Sequence, residues 1–178
     1  MKSHRAWYQT ACYRLGQGMQ HFGRVASLTA EDNTLLVSLL PPAGQDLFRT
    51  MSPVDQQHCL RVCRGLQASG CSEEEMLAAA LLHDVGKGQG RVPFWTRPAL
   101  VLGKYFFPTL LKRLLATSPT SEHLPGWRRA LGNAWWHAEI GAKLAAEAGL
   151  GERAVLYIRT HHQPHGPAAA LHIVDEVS

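Results

Sequence analysis

Apolar residues recur along this chain at the three- and four-residue intervals of a helix, and no convincing run of alternating β-branched residues interrupts them. SPVD (52–55) supplies a Ser N-cap, a Pro at the first helical position and an acid at the third. The helix it opens carries His58 and should end near Gly70. SEEE (72–75) reads as a capping box for a second helix, which runs through AAALL (78–82) into His83 and Asp84. A third helix is predicted over 132–148, with His137, Ile140, Gly141 and Leu144 along one face and Gly149 as its stop. Gly151 and Glu152 open a fourth, ERAVLYIRTHH, closed by Pro164, and AALHIVDEVS makes a short last one. Two looser amphipathic segments, 5–22 and 30–40, are separated from the rest by Pro41-Pro42. The prediction is an all-α chain with an N-terminal helical extension over 1–50. A single globular unit follows over 51–178, with an insertion-like helical segment at 91–129.

Composition bounds the rest. The chain has 178 residues, 46% of them hydrophobic, enough for one well-buried domain and too few for two comfortable ones. Eighteen Lys and Arg against fourteen Asp and Glu give a net charge of +4, and the pI is near 9.0. That mild excess suits an anionic small molecule, nucleic acid or an acidic membrane surface without choosing among them. No specific nucleic-acid motif stands out. Cys12, Cys59, Cys63 and Cys71 form no CxxC pair and are expected to be reduced, buried thiols of a cytoplasmic protein. MKSHRAWYQTACYRL lacks the long apolar region of a signal peptide. The apolar stretch 98–116 is broken by Gly103, Lys104, Pro108, Lys112 and Arg113, short of the roughly 20 apolar residues a membrane span needs.

Candidate chemistry lies where the apolar faces end. His58, His83, Asp84, His137, His161, His162 and Asp175 all sit at the apolar ends or faces of predicted helices. An isolated imidazole on such a face is most often a hydrogen-bonded core residue; five of them with two carboxylates, on successive helices, exceed what packing explains. Neutral imidazole and carboxylate together suit Mn, Fe, Co, Ni or Zn. Successive helical residues diverge by about 100°, so His83 and Asp84 share one ion only if it lies near the helix end. Alternatively, the two oxygens of Asp84 bridge two ions.

His58, HDVGK (83–87) and Asp175 resemble the H…HD…D signature of the HD-domain metal-dependent phosphohydrolase superfamily, over roughly residues 50–178. HAEIGA (137–142) and IRTHH (158–162) are similar to the HxxxG and histidine elements of its binuclear subgroups. Those subgroups include the HD-GYP cyclic-dinucleotide phosphodiesterases, the cyclic-di-AMP phosphodiesterases and the HD-type diadenosine tetraphosphate hydrolases. The resemblance implies an HD-type helical bundle with two divalent ions held by His58, His83, Asp84, His137, His161 and Asp175, Asp84 bridging. QPHGP follows His162 where HD-GYP proteins carry the Glu of HHE and their GYP triplet, which departs from the cyclic-di-GMP pattern. A stand-alone hydrolase is expected, acting on a small phosphorylated substrate such as a nucleotide.

Metal-activated hydroxide would perform the attack on phosphorus, and no Ser or Cys nucleophile is needed. Asp84 and Lys87 are therefore the expected catalytic pair; Lys87, one turn past His83, also binds substrate with His162 and Arg91. The plain alternative for Lys87 is a solvated cation at a helix end. His4, His21, His123, His165 and His172 read as surface or structural residues. Segment 91–129 concentrates Phe94, Trp95, Tyr105, Phe106, Phe107 and Trp127 with seven cations and a single acid, Glu122. It reads as a wall or lid that draws in an anionic substrate, against an ordinary amphipathic helix or a face that dips into anionic lipid. Two other function classes compete with the hydrolase: an HD-type di-iron oxygenase and a non-catalytic signalling module.

Overall fold

A computed structural model of the chain describes residues 27–88, 96–115 and 124–178, and among these only helices, turns and loops occur. In chain order the helices are α1 (Ala30–Leu39), α2 (Pro42–Arg49), α3 (Pro53–Ala68), α4 (Glu74–Leu82) and α5 (Val85–Gly88). They continue with α6 (Thr96–Phe106), α7 (Pro108–Leu115), α8 (Gly126–Glu147), α9 (Glu152–Thr160) and α10 (Ala169–Val177). The all-α expectation holds. Segment 5–22, Arg91 and Cys12 lie outside the described residues.

α4 is the centre of the bundle. Met76 through Leu82 are all buried, so the helix is apolar all round and needs neighbours on every side. α3 and α9 pack closely against it, and α1 and α2 complete the shell. The small side chains Ala78, Ala79 and Ala80 let those neighbours approach. Leu36, Leu40 and Phe48 belong to the same core as Leu60, Leu81 and Ile158, so α1 and α2 are continuous with the bundle. Arg64 of α3 donates to Asp32 of α1 at 2.6 Å, tying the two together.

The local signals explain most boundaries. Ser52 caps α3 by accepting from Asp55 N at 3.2 Å, with Pro53 at the first position. Gly70 (φ 91°) and Gly149 (φ 85°) end α3 and α8 in the left-handed conformation that a Cβ disfavours. In each, the next residue closes a Schellman bond, Cys71 N to Leu66 O and Leu150 N to Ala145 O, both 3.0 Å.

Three boundaries differ from expectation. SEEE does not form a capping box: α4 starts at Glu74, and its N-cap Glu73 makes no side-chain cap bond. Glu73 instead accepts from Tyr157 Oη at 2.9 Å and from Arg153, both on α9. Pro42 opens α2 because its fixed φ suits a first helical turn, so the Pro-Pro pair starts a helix. α8 begins at Gly126, after Pro125. Cys59 and Cys63 are buried thiols, whereas Cys71 is partly exposed.

Candidate metal centre

Five elements deliver the seven predicted side chains. His58 comes from the first half of α3, His137 from the middle of α8 and Asp175 from α10. His83 and His161 are the C-caps of α4 and α9, and Asp84 and His162 lie in the turns just beyond. Helical divergence does not apply past a helix end, which lets adjacent residues face one centre. The rings of His161 and His162 accordingly lie side by side, with centroids 3.9 Å apart and planes tilted by 44°. His162 remains exposed at the rim of the cluster, beside the buried His161.

Three imidazoles are held alike. His83 Nδ1 donates to Ala80 O at 2.9 Å, His137 Nδ1 to Ala134 O at 2.9 Å, and His161 Nδ1 to Ile158 O at 2.7 Å. Each bond runs to the carbonyl three residues earlier and fixes the proton on Nδ1, leaving a lone pair on Nε2. His83 Nε2 and His161 Nε2 are fully buried with no hydrogen-bond partner among the described residues. Such an orphan costs about 1–3 kcal/mol, and the chain carries two in one place.

Carboxylates face these nitrogens. Asp84 Oδ2 stands 3.7 Å from His83 Nε2 and 3.9 Å from His58 Nε2, while Oδ1 stands 3.7 Å from His137 Nε2. One carboxylate thus addresses two groups of imidazoles with separate oxygens. Asp175 Oδ1 lies 2.8 Å from His58 Nε2 and 3.4 Å from His83 Nε2. Two sets of donors result that could hold a metal ion: His58, His83 and Asp84, and beside them His137, His161 and His162. His162 Nε2 approaches His137 Nε2 to 2.9 Å. The donors fit divalent cations on chemistry alone, being neutral nitrogen and anionic oxygen with buried lone pairs turned inward.

The electrostatics divide the rings: burial lowers the His83 imidazole, but Cys59, Asp84 and Asp175 beside it raise it well above its ordinary value, so a cation there would take the place of its Nε2 proton. Burial and then the Lys87 ammonium push the His137 imidazole down to about 3. Burial and then the His83 and His162 rings push His161 down to about 2. Both rings are therefore neutral at physiological pH, the form in which an imidazole can accept a cation. Burial alone would raise the Asp84 carboxyl, but Lys87 and the surrounding imidazoles hold it well below the carboxylate range. Asp175 is likewise held low by His58 and His83 against its burial.

Lys87 Nζ reaches Asp84 Oδ2 at 2.5 Å, so it belongs to the cluster rather than to solvent. Gly86 lies against α8 so closely that a Cβ there would sit 2.1 Å from His137 O and 2.8 Å from Gly141 N. Gly141 in turn faces Gly86 N and Ile158. These two glycines serve helix packing, and the packing sets how near His137 comes to Asp84. Sequence reasoning placed His172 outside the site, yet its Nδ1 approaches His161 O at 3.1 Å. Cys59 Sγ, 3.7 Å from His83 Nδ1, was also missed as a neighbour of the cluster. Its position one residue after His58 was the available signal.

Segment 96–115 forms a hairpin of α6 and α7 on the N-terminal half of α8. Leu111, Leu115 and Leu131 form a small second core with Ala99, Leu100 and Trp135. Trp136 Nε1 donates to Leu115 O at 2.9 Å, so the C-terminal end of α7 is the one nearest His137. Tyr105, Phe106 and Phe107 lie at its opposite end and are exposed. No family model, curated protein or solved structure matches the chain.

Proposed function

We propose that the protein is a metal-dependent phosphohydrolase that cleaves a phosphomonoester or phosphodiester bond in a nucleotide or another small phosphorylated metabolite. One observation carries the reading: two buried imidazole nitrogens without hydrogen-bond partners converge with two carboxylates at the junction of five helices. His58, His83, Asp84 and Asp175 would hold one cation. His137 and His161, with the second oxygen of Asp84 and with His162 alongside, would hold another. Bound cations of this kind supply Lewis acidity and lower the pKa of a water toward neutrality, which is the chemistry that attack on a phosphate requires.

The chain's own groups then do the rest. The three Nδ1 bonds keep His83, His137 and His161 in one tautomer and orientation. Burial of His83 and His161 excludes bulk water behind the site. Lys87, the half-buried cation beside Asp84, is placed to take a phosphoryl oxygen as a point charge. The similarity of HDVGK, HAEIGA and IRTHH to the HD superfamily supports the same chemistry.

The experiment is metal analysis of the purified protein with a screen of phosphorylated metabolites under Mn, Co, Ni and Fe, repeated on Asp84→Ala. Bound metal and turnover should both collapse in the variant while helical circular dichroism persists. Full metal content and full activity in that variant would overturn the proposal. Turnover by the iron-loaded protein only in the presence of dioxygen would replace hydrolysis with oxygenation.

A further inference from the structure

The α6–α7 hairpin has two unlike sides. Ala99, Leu100, Gly103, Leu111 and Leu115 turn inward, Gly103 allowing the Leu111 side chain to approach its backbone. Val101, Leu102 and Leu110 are exposed on the hairpin, and at the junction of its helices Tyr105, Phe106 and Phe107 are 65, 61 and 64% exposed. Six large apolar side chains within ten residues form a patch larger than the scattered exposed apolar residues of an ordinary surface.

Charge decides what covers it. The sequence of 96–115 contains Arg97, Lys104, Lys112 and Arg113 and no Asp or Glu. Arg113 is exposed on α7, while Arg128, at the opposite end of that helix from the aromatic tip, is engaged with Leu114 O at 3.0 Å. A second copy of this chain meeting the patch symmetrically would bring together two segments of like charge that contain no acid. An anionic lipid surface instead offers hydrocarbon for the aromatic tip and phosphates for Arg113 and the net positive charge of the segment. Helices of eleven and eight residues are too short to cross a bilayer, and among the described residues no helix is long and apolar enough to do so. They suit a position within the interface, where aromatic rings concentrate.

We propose that the α6–α7 hairpin is a membrane-docking element that seats Tyr105, Phe106 and Phe107 among the headgroups of an anionic bilayer, with the exposed Arg113 on the lipid phosphates. This surface is separate from the metal centre and stands whether or not the chain is a hydrolase. The test is co-sedimentation of the full chain with phosphatidylcholine vesicles, and with vesicles in which half of that lipid is replaced by phosphatidylglycerol. Binding should require the anionic lipid and weaken as salt rises. The double variant Phe106→Ser/Phe107→Ser should lose about tenfold or more in affinity. Arg113→Glu should weaken binding at low salt and lose that effect at high salt, an independent reading should the double variant misfold. Equal binding to neutral and anionic vesicles, or no binding to either, overturns the proposal. So does a concentration-dependent dimer that the double variant abolishes without any vesicle binding, which would make the patch a self-interface.

Discussion

An imidazole has two nitrogens, and in His83, His137 and His161 one of them is already committed to a backbone carbonyl. That commitment is what makes the other useful, because it removes the choice of tautomer and most of the ring's rotation. The two sets of donors divide by residue, which predicts a division by stoichiometry. His161→Ala removes a ligand from the His137 set and leaves His58, His83, Asp84 and Asp175 in place. Metal content measured by plasma emission should fall from about two ions per chain toward one. Wild-type protein that never binds a second ion would sink the two-site arrangement. At this scale the sequence was informative where side-chain type is itself costly, as with His83 and Asp84 after a run of apolar residues. It was uninformative where geometry depends on a turn: nothing in Thr-His-His-Gln says that the chain leaves the helix at His161 and brings both rings beside His137, one buried and one exposed.

Elements meet at the site through backbone as much as side chain. α5 is a single turn, held against α8 by the absence of a side chain at Gly86. Gly86→Ala would drive a methyl into His137 O, and the opposing atoms are backbone that has nowhere to yield. Forced overpacking of this kind costs about 1–3 kcal/mol, and relief requires α8 to move away from Asp84. The variant should therefore show a lower midpoint of thermal unfolding together with weakened metal binding. Wild-type metal affinity and stability would show that the contact positions nothing. The helices themselves were legible, since Ser52-Pro53, Gly70 and Gly149 act through local bonds that neighbours do not override. SEEE failed as a start signal because Glu73 is drawn to Tyr157 and Arg153 on α9, a partner 84 positions away from it in the case of the tyrosine. Pro41-Pro42 looked like a boundary although the second proline begins α2, since proline fits a helix start as well as a linker.

Across the molecule, the described helices before residue 50 are part of the body that carries the donors. Their anchor is Asp32, buried against Arg64 and bonded by Thr29 N at 2.7 Å in a Thr–Asp capping box. Burial would raise this carboxyl; the Thr29 bonds and the Arg64 guanidinium lower it below its ordinary 3.8. A group depressed in the folded state stabilises the fold above its unfolded pKa, and that contribution is lost as pH falls through the folded value. Asp84 and Asp175 titrate in the same direction, so the informative quantity is a difference between proteins. Asp32→Asn should be less stable than wild type at neutral pH, and the gap should narrow on acidification below about pH 4. A gap constant from pH 7 to pH 3 would show that the ionised carboxylate contributes nothing. The sequence reading of 30–40 as a loose amphipathic segment passed over Thr29 and Asp32, and no local signal announces the reach to an arginine 32 positions later.

The hydrogen bond between His58 and Asp175 joins positions 117 residues apart. Seen as an event in time, it is a late one. Helices α3 and α4 can form and pair locally, but a contact of such separation must wait for the chain between to condense, and loop closure delays it further. The donors on α3 and α10 are strangers until the intervening helices have folded. Any ion the centre holds would therefore be taken up after folding, since one met by the nascent chain would find half a coordination shell.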